Sequence, residues 1–294
     1  MKCLVLSGGA EKGIGYIGII KYLENSGLLS NFETYYGTSV GSIIATLLSL
    51  GYTSLELNYI LKKINIKELL LINNNFDLST FLETFGFFEP SKLIRLIELL
   101  IKKKTGLETP TFLELFIKYK KTLIITGSCL SDYKSYYFSH IDTPNMKVTE
   151  AIRISISIPF LFKPVRYENK LFVDGALYDN YPILHALKKY FPSDIVGCLI
   201  NIRFKEEDSI ENIDTFLKVC IRSISVKLNQ FTINAYRDCS IIINCEKAFY
   251  DFTCHDEIES FINLGYQSAK EHFELRFPNQ PIKLNCISDK DILL

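Results

Sequence analysis

The chain has 294 residues, 48% of them apolar and 22% charged, and its 33 basic residues balance 33 acidic ones. That much apolar residue fills a sizeable core and excludes a disordered chain. Zero net charge argues against a dedicated nucleic-acid binder, whose affinity comes from clustered Lys and Arg, and it gives little electrostatic pull toward anionic membranes.

Residues 3–7 form a short apolar run ending in Gly8-Gly9, which reads as a buried strand entering a glycine loop. This run stops too early for a secretory signal, and no stretch is long and uncharged enough to span a bilayer, so a cytoplasmic protein is expected. Tyr16, Ile19, Ile20 and Leu23 follow helical spacing as far as Gly27. Residues 33–36 read as a second strand, and Val40, Ile43, Ile44 and Leu47 as a second helix ending at Gly51. Strand, loop, helix, strand, turn and helix in this order mark an α/β fold with a mostly parallel sheet.

Residues 53–118 read as helical, with breaks near Asn73, Pro90 and Gly106. Strands are predicted at 121–130, 136–138, 171–173, 194–202 and 240–244. Helices are predicted at 148–157, 181–190, 213–231 and 256–273. There is no repeat or linker. The organisation expected is a main domain over residues 1–205, with a helical insertion at about 53–119. Residues 206–294 would form an α/β extension packed on the same domain. The eight cysteines are scattered, and Cys245, Cys254 and His255 lack zinc-site spacing, so reduced buried thiols and no metal are expected.

Three segments carry chemistry. Gly37-Thr38-Ser39-Val40-Gly41 sits where a strand turns into a helix, the context of a nucleophile elbow. Its glycines keep the flanks bare, and the following helix aims N–H groups at the Ser39 hydroxyl. The competing reading is a Ser that caps the helix. Gly8-Gly9-Ala10-Glu11-Lys12-Gly13 offers backbone N–H groups for an oxyanion or phosphate, with Lys12 adding charge. Asp174-Gly175-Ala176 ends a short strand and offers either a base for Ser39 or an ordinary Asp-Gly turn.

Two decoys stand beside them. Gly13-Ile14-Gly15-Tyr16-Ile17-Gly18 matches the dinucleotide fingerprint, but it starts six residues past the strand, and its later glycines fall inside the helix. His185, His255 and His272 all follow Asp174, so chain order leaves a Ser–acid–His triad open, although none lies in a convincing loop.

Taken together these segments resemble the patatin-like phospholipase family. Residues 4–13 resemble its opening strand and oxyanion loop, and residues 36–42 its elbow. Ser155-Ile156-Ser157-Ile158-Pro159-Phe160 is similar to its S-x-S-x-P stretch, and Phe172-Val173-Asp174-Gly175-Ala176 with Asn180-Tyr181-Pro182 to its acid segment. The resemblance implies a three-layer α/β/α sandwich and a calcium-independent lipid acyl hydrolase of phospholipase A type. It implies Ser39 as nucleophile, Asp174 as base and no cofactor. Gly8, Gly9, Ala10, Lys12 and Gly13 would form the oxyanion hole, and Gly37, Thr38, Val40 and Gly41 the elbow. Gly175 and Ala176 would complete the acid motif.

The substrate would be a phospholipid or other acyl lipid, met through transient contact with a membrane surface. No nucleic acid is expected. Ala10 replaces a glycine usual in the family, and a positive φ there would strain it. The alternatives are a lipid-binding protein of the same fold with weak turnover and, behind it, a nucleotide-binding protein using Gly13 to Gly18. Residues 69–72 and Phe85 to Phe88 are apolar enough for a lid or an interfacial patch, and equally for plain core cover.

Overall fold

The structure is a computed structural model that describes residues 1–64, 69, 78–202, 236–245 and 255–278. The predicted helix at 213–231 and residues 70–72 of the apolar run lie outside the described residues. The strands are β1 (Cys3–Leu6), β2 (Thr34–Gly37), β3 (Gly86–Phe88), β4 (Thr122–Cys129), β5 (Lys134–Ser139), β6 (Phe160–Phe162), β7 (Val165–Tyr167), β8 (Lys170–Asp174), β9 (Ile195–Ile202) and β10 (Ser240–Cys245). The main sheet runs in the order β10-β9-β1-β2-β4-β8-β7, with β5 also paired to β4. From β10 to β4 every pairing is parallel, while β5, β8 and β7 join antiparallel.

Between the strands run α1 (Gly15–Asn25), α2 (Val40–Ser49), α3 (Ser54–Lys63), α4 (Leu78–Thr84), α5 (Ser91–Thr105), α6 (Phe112–Tyr119), α7 (Val148–Ser155), α8 (Ala176–Asp179), α9 (Ile183–Leu187) and α10 (His255–Arg276). Alternate residues of each central strand face opposite sides. Leu4, Leu6, Tyr35, Ile125 and Cys198 face one core, shared with apolar residues of α1, α2 and α7. Cys3, Val5, Tyr36, Ile124 and Leu199 face a second core, shared with Tyr181 and with Ile183 and Ala186 of α9. Burial on both faces explains why these strands read as unbroken apolar runs. This is the α/β sandwich expected, with helices on both sides of a mostly parallel sheet. Among the described residues, no helix is long and apolar enough to cross a membrane, and five cysteines are free and buried.

The last described segment completes this sheet. β10 forms its edge, and α10 lies against α1 at very close range. A Cβ on Gly18 would stand 1.8 Å from the Ile262 carbonyl oxygen, and one on Gly265 would stand 2.0 Å from that of Gly15. Gly15 and Gly18 of the dinucleotide-like pattern therefore serve helix contact inside α1. Gly18→Ala must force the two helices apart. It is expected to cost about 2–3 kcal/mol, the upper part of the overpacking range, read as a lower urea midpoint at unchanged slope.

Two segments differ from the sequence reading. Residues 86–88 form a strand within the expected helical insertion, paired in parallel with β6. A three-residue strand is too short to show a period, and its partner lies some seventy residues on. The helix expected at 181–190 shrinks to α9, between Pro182 at its N-cap and a turn ahead of Phe191-Pro192.

Candidate active site

Leaving β2, the chain reverses into α2 through Ser39, which holds φ 54° and ψ −127°. That conformation is strained for a residue with a side chain. It is accommodated by bare flanks. A Cβ on Gly37 would lie 2.3 Å from the Gly41 carbonyl oxygen, and one on Gly41 would lie 2.6 Å from those of Leu6 and Ser7. Thr38 is tied down separately, its Oγ1 donating to the Asp179 carbonyl at 3.1 Å. Ser39 occupies the N-cap of α2 but does not cap it with its side chain. Its Oγ instead donates to Asp174 Oδ2 at 2.7 Å.

Sheet register explains this meeting. β2 pairs with the first half of β4, placing Gly37 opposite Ile125. β8 approaches antiparallel along the second half and places Asp174 opposite Gly127. Ile124 and Ile125 pair with both β2 and β5, and residues 127–129 with both β5 and β8. β2 and β8 therefore share one edge of β4 and meet end to end. Gly175 keeps the junction tight, since a Cβ there would lie 2.5 Å from the Thr126 carbonyl oxygen. Its φ of −58° is one any residue adopts, so close approach rather than a special turn calls for glycine.

Asp174 is only 2% exposed. Burial penalises its charged form and pushes its pKa from 3.8 up to about 7. Hydrogen bonds from the Ala176 N–H to Oδ1 at 2.8 Å and from Ser39 to Oδ2 pull the other way. A carboxylate held near neutrality beside a hydroxyl can accept that hydroxyl's proton far better than an ordinary Asp.

The glycine loop lies against the same point. A Cβ on Gly8 would stand 3.1 Å from Ser39 Cβ and 2.4 Å from Asn180 Oδ1, and one on Gly13 would stand 2.4 Å from Val40 Cγ2. Tyr16, fully buried, donates to the Ser7 carbonyl at 2.7 Å and fixes where the loop begins. The Gly8 N–H is taken by the Asn180 carbonyl at 3.1 Å and the Lys12 N–H by that of Gly9 at 3.1 Å. The Lys12 side chain is buried, and its ammonium pairs with Glu11 at 2.6 Å, so its charge is matched within the loop. Ala10 has φ 49°, the left-handed region in which a glycine would be free of strain.

Among the described residues, the Ser39 hydroxyl meets no histidine. His185 stacks on Tyr137 with ring centroids 3.7 Å apart. His272 lies edge-on to Phe273 within α10, and burial pushes its pKa down to about 4. The side chain of His255 lies outside the described residues. Ser155 and Ser157 acquire contacts that their motif alone did not suggest. The Ser39 N–H donates to Ser155 Oγ at 2.9 Å, and the Asp174 N–H to the Ser157 carbonyl at 2.8 Å. Only the resemblance to the family's S-x-S-x-P stretch singles them out in the sequence.

Phe81, Phe87 and Phe160 form a ring cluster, with centroids 4.7 Å apart for Phe81 and Phe87 and 6.3 Å for Phe81 and Phe160. Phe160 of this cluster and Phe85 are exposed.

Known proteins resemble this chain in sequence and in fold. The chain is 37% identical over 184 residues to Uncharacterized protein R571 of Acanthamoeba polyphaga mimivirus, a match covering 62% of this chain and 60% of that protein. It is 32% identical over 187 residues to a protein of Invertebrate iridescent virus 6 named "Probable lipid hydrolase 463L", covering 64% of this chain and 63% of that one. The chain thus spans less than two thirds of the length of either relative. Among solved structures, VipD from Legionella pneumophila superposes with a TM-score of 0.64 at 17% identity, over 94% of this chain and 67% of VipD, a likeness of fold. The family model for patatin-like phospholipase matches residues 4–187, which take in the glycine loop, the elbow, the S-x-S-x-P stretch and the acid segment. With more than half of its length under that model, the chain belongs to the patatin-like phospholipase family.

Proposed function

We propose that this protein hydrolyses acyl esters of lipids, phospholipids first, through Ser39 as nucleophile and Asp174 as base, and without calcium. The observation that carries the reading is the 2.7 Å hydrogen bond from Ser39 Oγ to a buried Asp174 whose basicity is raised. Ser39 Oγ attacks the acyl carbon while its proton passes to Asp174 Oδ2. The N–H groups of Gly9 and Ala10 receive the oxyanion, because those of Gly8 and Lys12 are already bonded within the protein. One such donor is typically worth about 3–4 kcal/mol. As the tetrahedral intermediate collapses, Asp174 returns the proton to the leaving alcohol oxygen. Water then attacks the acyl-enzyme with Asp174 again as base.

Nucleophile, base and oxyanion donors all come from the chain, so no metal enters a step. The substrate class is supported by family membership and by the lipid hydrolase name of the iridescent virus relative. The left-handed Ala10 favours one second reading, a lipid-binding member with slow turnover.

The test is release of fatty acid from phosphatidylcholine vesicles, and of p-nitrophenol from a short-chain ester, with EDTA present. Turnover on either substrate supports the hydrolase. Vesicle binding with no turnover on either supports the second reading, and recovery of turnover in Ala10→Gly would trace the defect to the loop.

A further inference from the structure

We infer that Ser155 is a positioning residue for the reaction, one end of a rigid clamp that sets the Ser39–Asp174 geometry. This rests on the reading of Ser39 as nucleophile. Ser39 adopts φ 54° and ψ −127°, and its N–H bonds to neither the sheet nor α2. That N–H is taken by Ser155 Oγ at 2.9 Å, across 116 residues of sequence. Two positions further along the same segment, the Ser157 carbonyl takes the Asp174 N–H at 2.8 Å. One short piece of backbone thus holds the main chain of both members of the pair.

The segment is stiff by construction. Ser155 and Ser157 are fully buried. The Ser157 N–H bonds the Ile154 carbonyl at 3.0 Å, and Ser157 Oγ donates to the Arg153 carbonyl at 2.6 Å. The Arg153 guanidinium donates to Ser157 Oγ, to Glu89 Oε1 at 2.8 Å and to the Lys163 carbonyl at 3.0 Å. Those last two partners flank the β3–β6 pair, so the clamp is braced on the small sheet.

The physical argument turns on the elbow. A strained backbone persists only where its surroundings over-determine it. Without the Ser155 hydroxyl, the Ser39 N–H becomes a buried donor without a partner, and rotation of the elbow to relieve it carries Oγ away from Asp174. A displacement of that kind slows the chemical step and leaves substrate binding alone.

Ser155→Ala and Ser155→Cys should be compared with wild type on p-nitrophenyl butyrate, alongside the rate at which a fluorophosphonate labels Ser39, mapped by peptide mass. Ser155→Ala is expected to lower kcat and the labelling rate together by about tenfold to a hundredfold, with KM within about twofold. Ser155→Cys, which is slightly larger and keeps a weak acceptor, should recover part of the loss, with a melting temperature close to wild type. If Ser155→Ala does not fold, a Cys variant that melts like wild type but labels several-fold more slowly supports the proposal. Wild-type labelling rates in the variants overturn it. So does an equal loss in both variants that tracks the folded fraction. If the probe labels some residue other than Ser39 in the wild type, the nucleophile assignment has failed, a result distinct from the clamp's failure.

Discussion

Asp174→Asn is expected to lower kcat by about a thousandfold or more while leaving the chain folded, and Ser39→Ala to reduce turnover to background. An Asn amide keeps the size of the carboxylate. Its oxygen can still accept the Ala176 N–H that Asp174 Oδ1 takes at 2.8 Å. It cannot take a proton from Ser39. The Ser39 variant loses the atom that would carry the acyl group. Stopped-flow release of p-nitrophenol separates the two. Wild type should show acylation followed by steady turnover, Asp174→Asn slowed acylation, and Ser39→Ala neither. If Asp174→Asn retained wild-type acylation, a histidine would have to be the base, and His255 would be the next residue to replace.

The same carboxylate should govern the response to pH. Asp174 has an ordinary pKa of 3.8 in the unfolded chain and about 7 in the folded one. Only the ionised form can act as base, so kcat/KM should climb with pH to a plateau, with a midpoint near the value of about 7. A profile flat from about pH 5 to pH 9 would sink the assignment.

Stability should move the opposite way. Between the two pKa values the folded state holds a proton that the unfolded state has released, so raising the pH from about 4 to about 7 costs stability. Below the lower value both states are protonated and the cost vanishes; above the upper value it is complete. A rise from 3.8 to about 7 corresponds to about 4 kcal/mol. Other carboxyls raised by burial, Glu24, Glu150 and Asp179, contribute slopes of the same sign. The informative quantity is therefore the difference between wild type and Asp174→Asn in urea midpoint across this range. The variant should lose this part of the slope and be the more stable protein at pH 8. Activity and stability would then pull apart at one residue, because the burial that makes the carboxylate a useful base also makes its charge expensive.

Much of this was legible one segment at a time. The apolar run before Gly8, the helical spacing from Tyr16 and the glycines around Ser39 each depend on neighbours in sequence. Each appears in place as β1, α1 and the elbow between β2 and α2. The dinucleotide-like pattern starts too far past the strand, and two of its glycines, Gly15 and Gly18, lie in the contact between α1 and α10.

What the sequence by itself determined was therefore the local hardware: a strand that must turn sharply at Ser39, a loop with exposed amides, and an Asp at the end of a strand. Asp174 read from its own segment is either a base for Ser39 or an ordinary Asp-Gly turn, and only the family resemblance favours the pair, since no periodicity links residues 135 apart. The tertiary structure decided the rest. β4 offers one edge to both β2 and β8, and their register brings the two side chains within a hydrogen bond. Burial raises the pKa of an ordinary Asp from 3.8 to about 7. Ser155 gains a contact with the elbow that depends on where α7 ends. The division is physical. Backbone conformation answers to adjacent residues, whereas desolvation and the meeting of distant groups depend on what the completed sheet lays beside them.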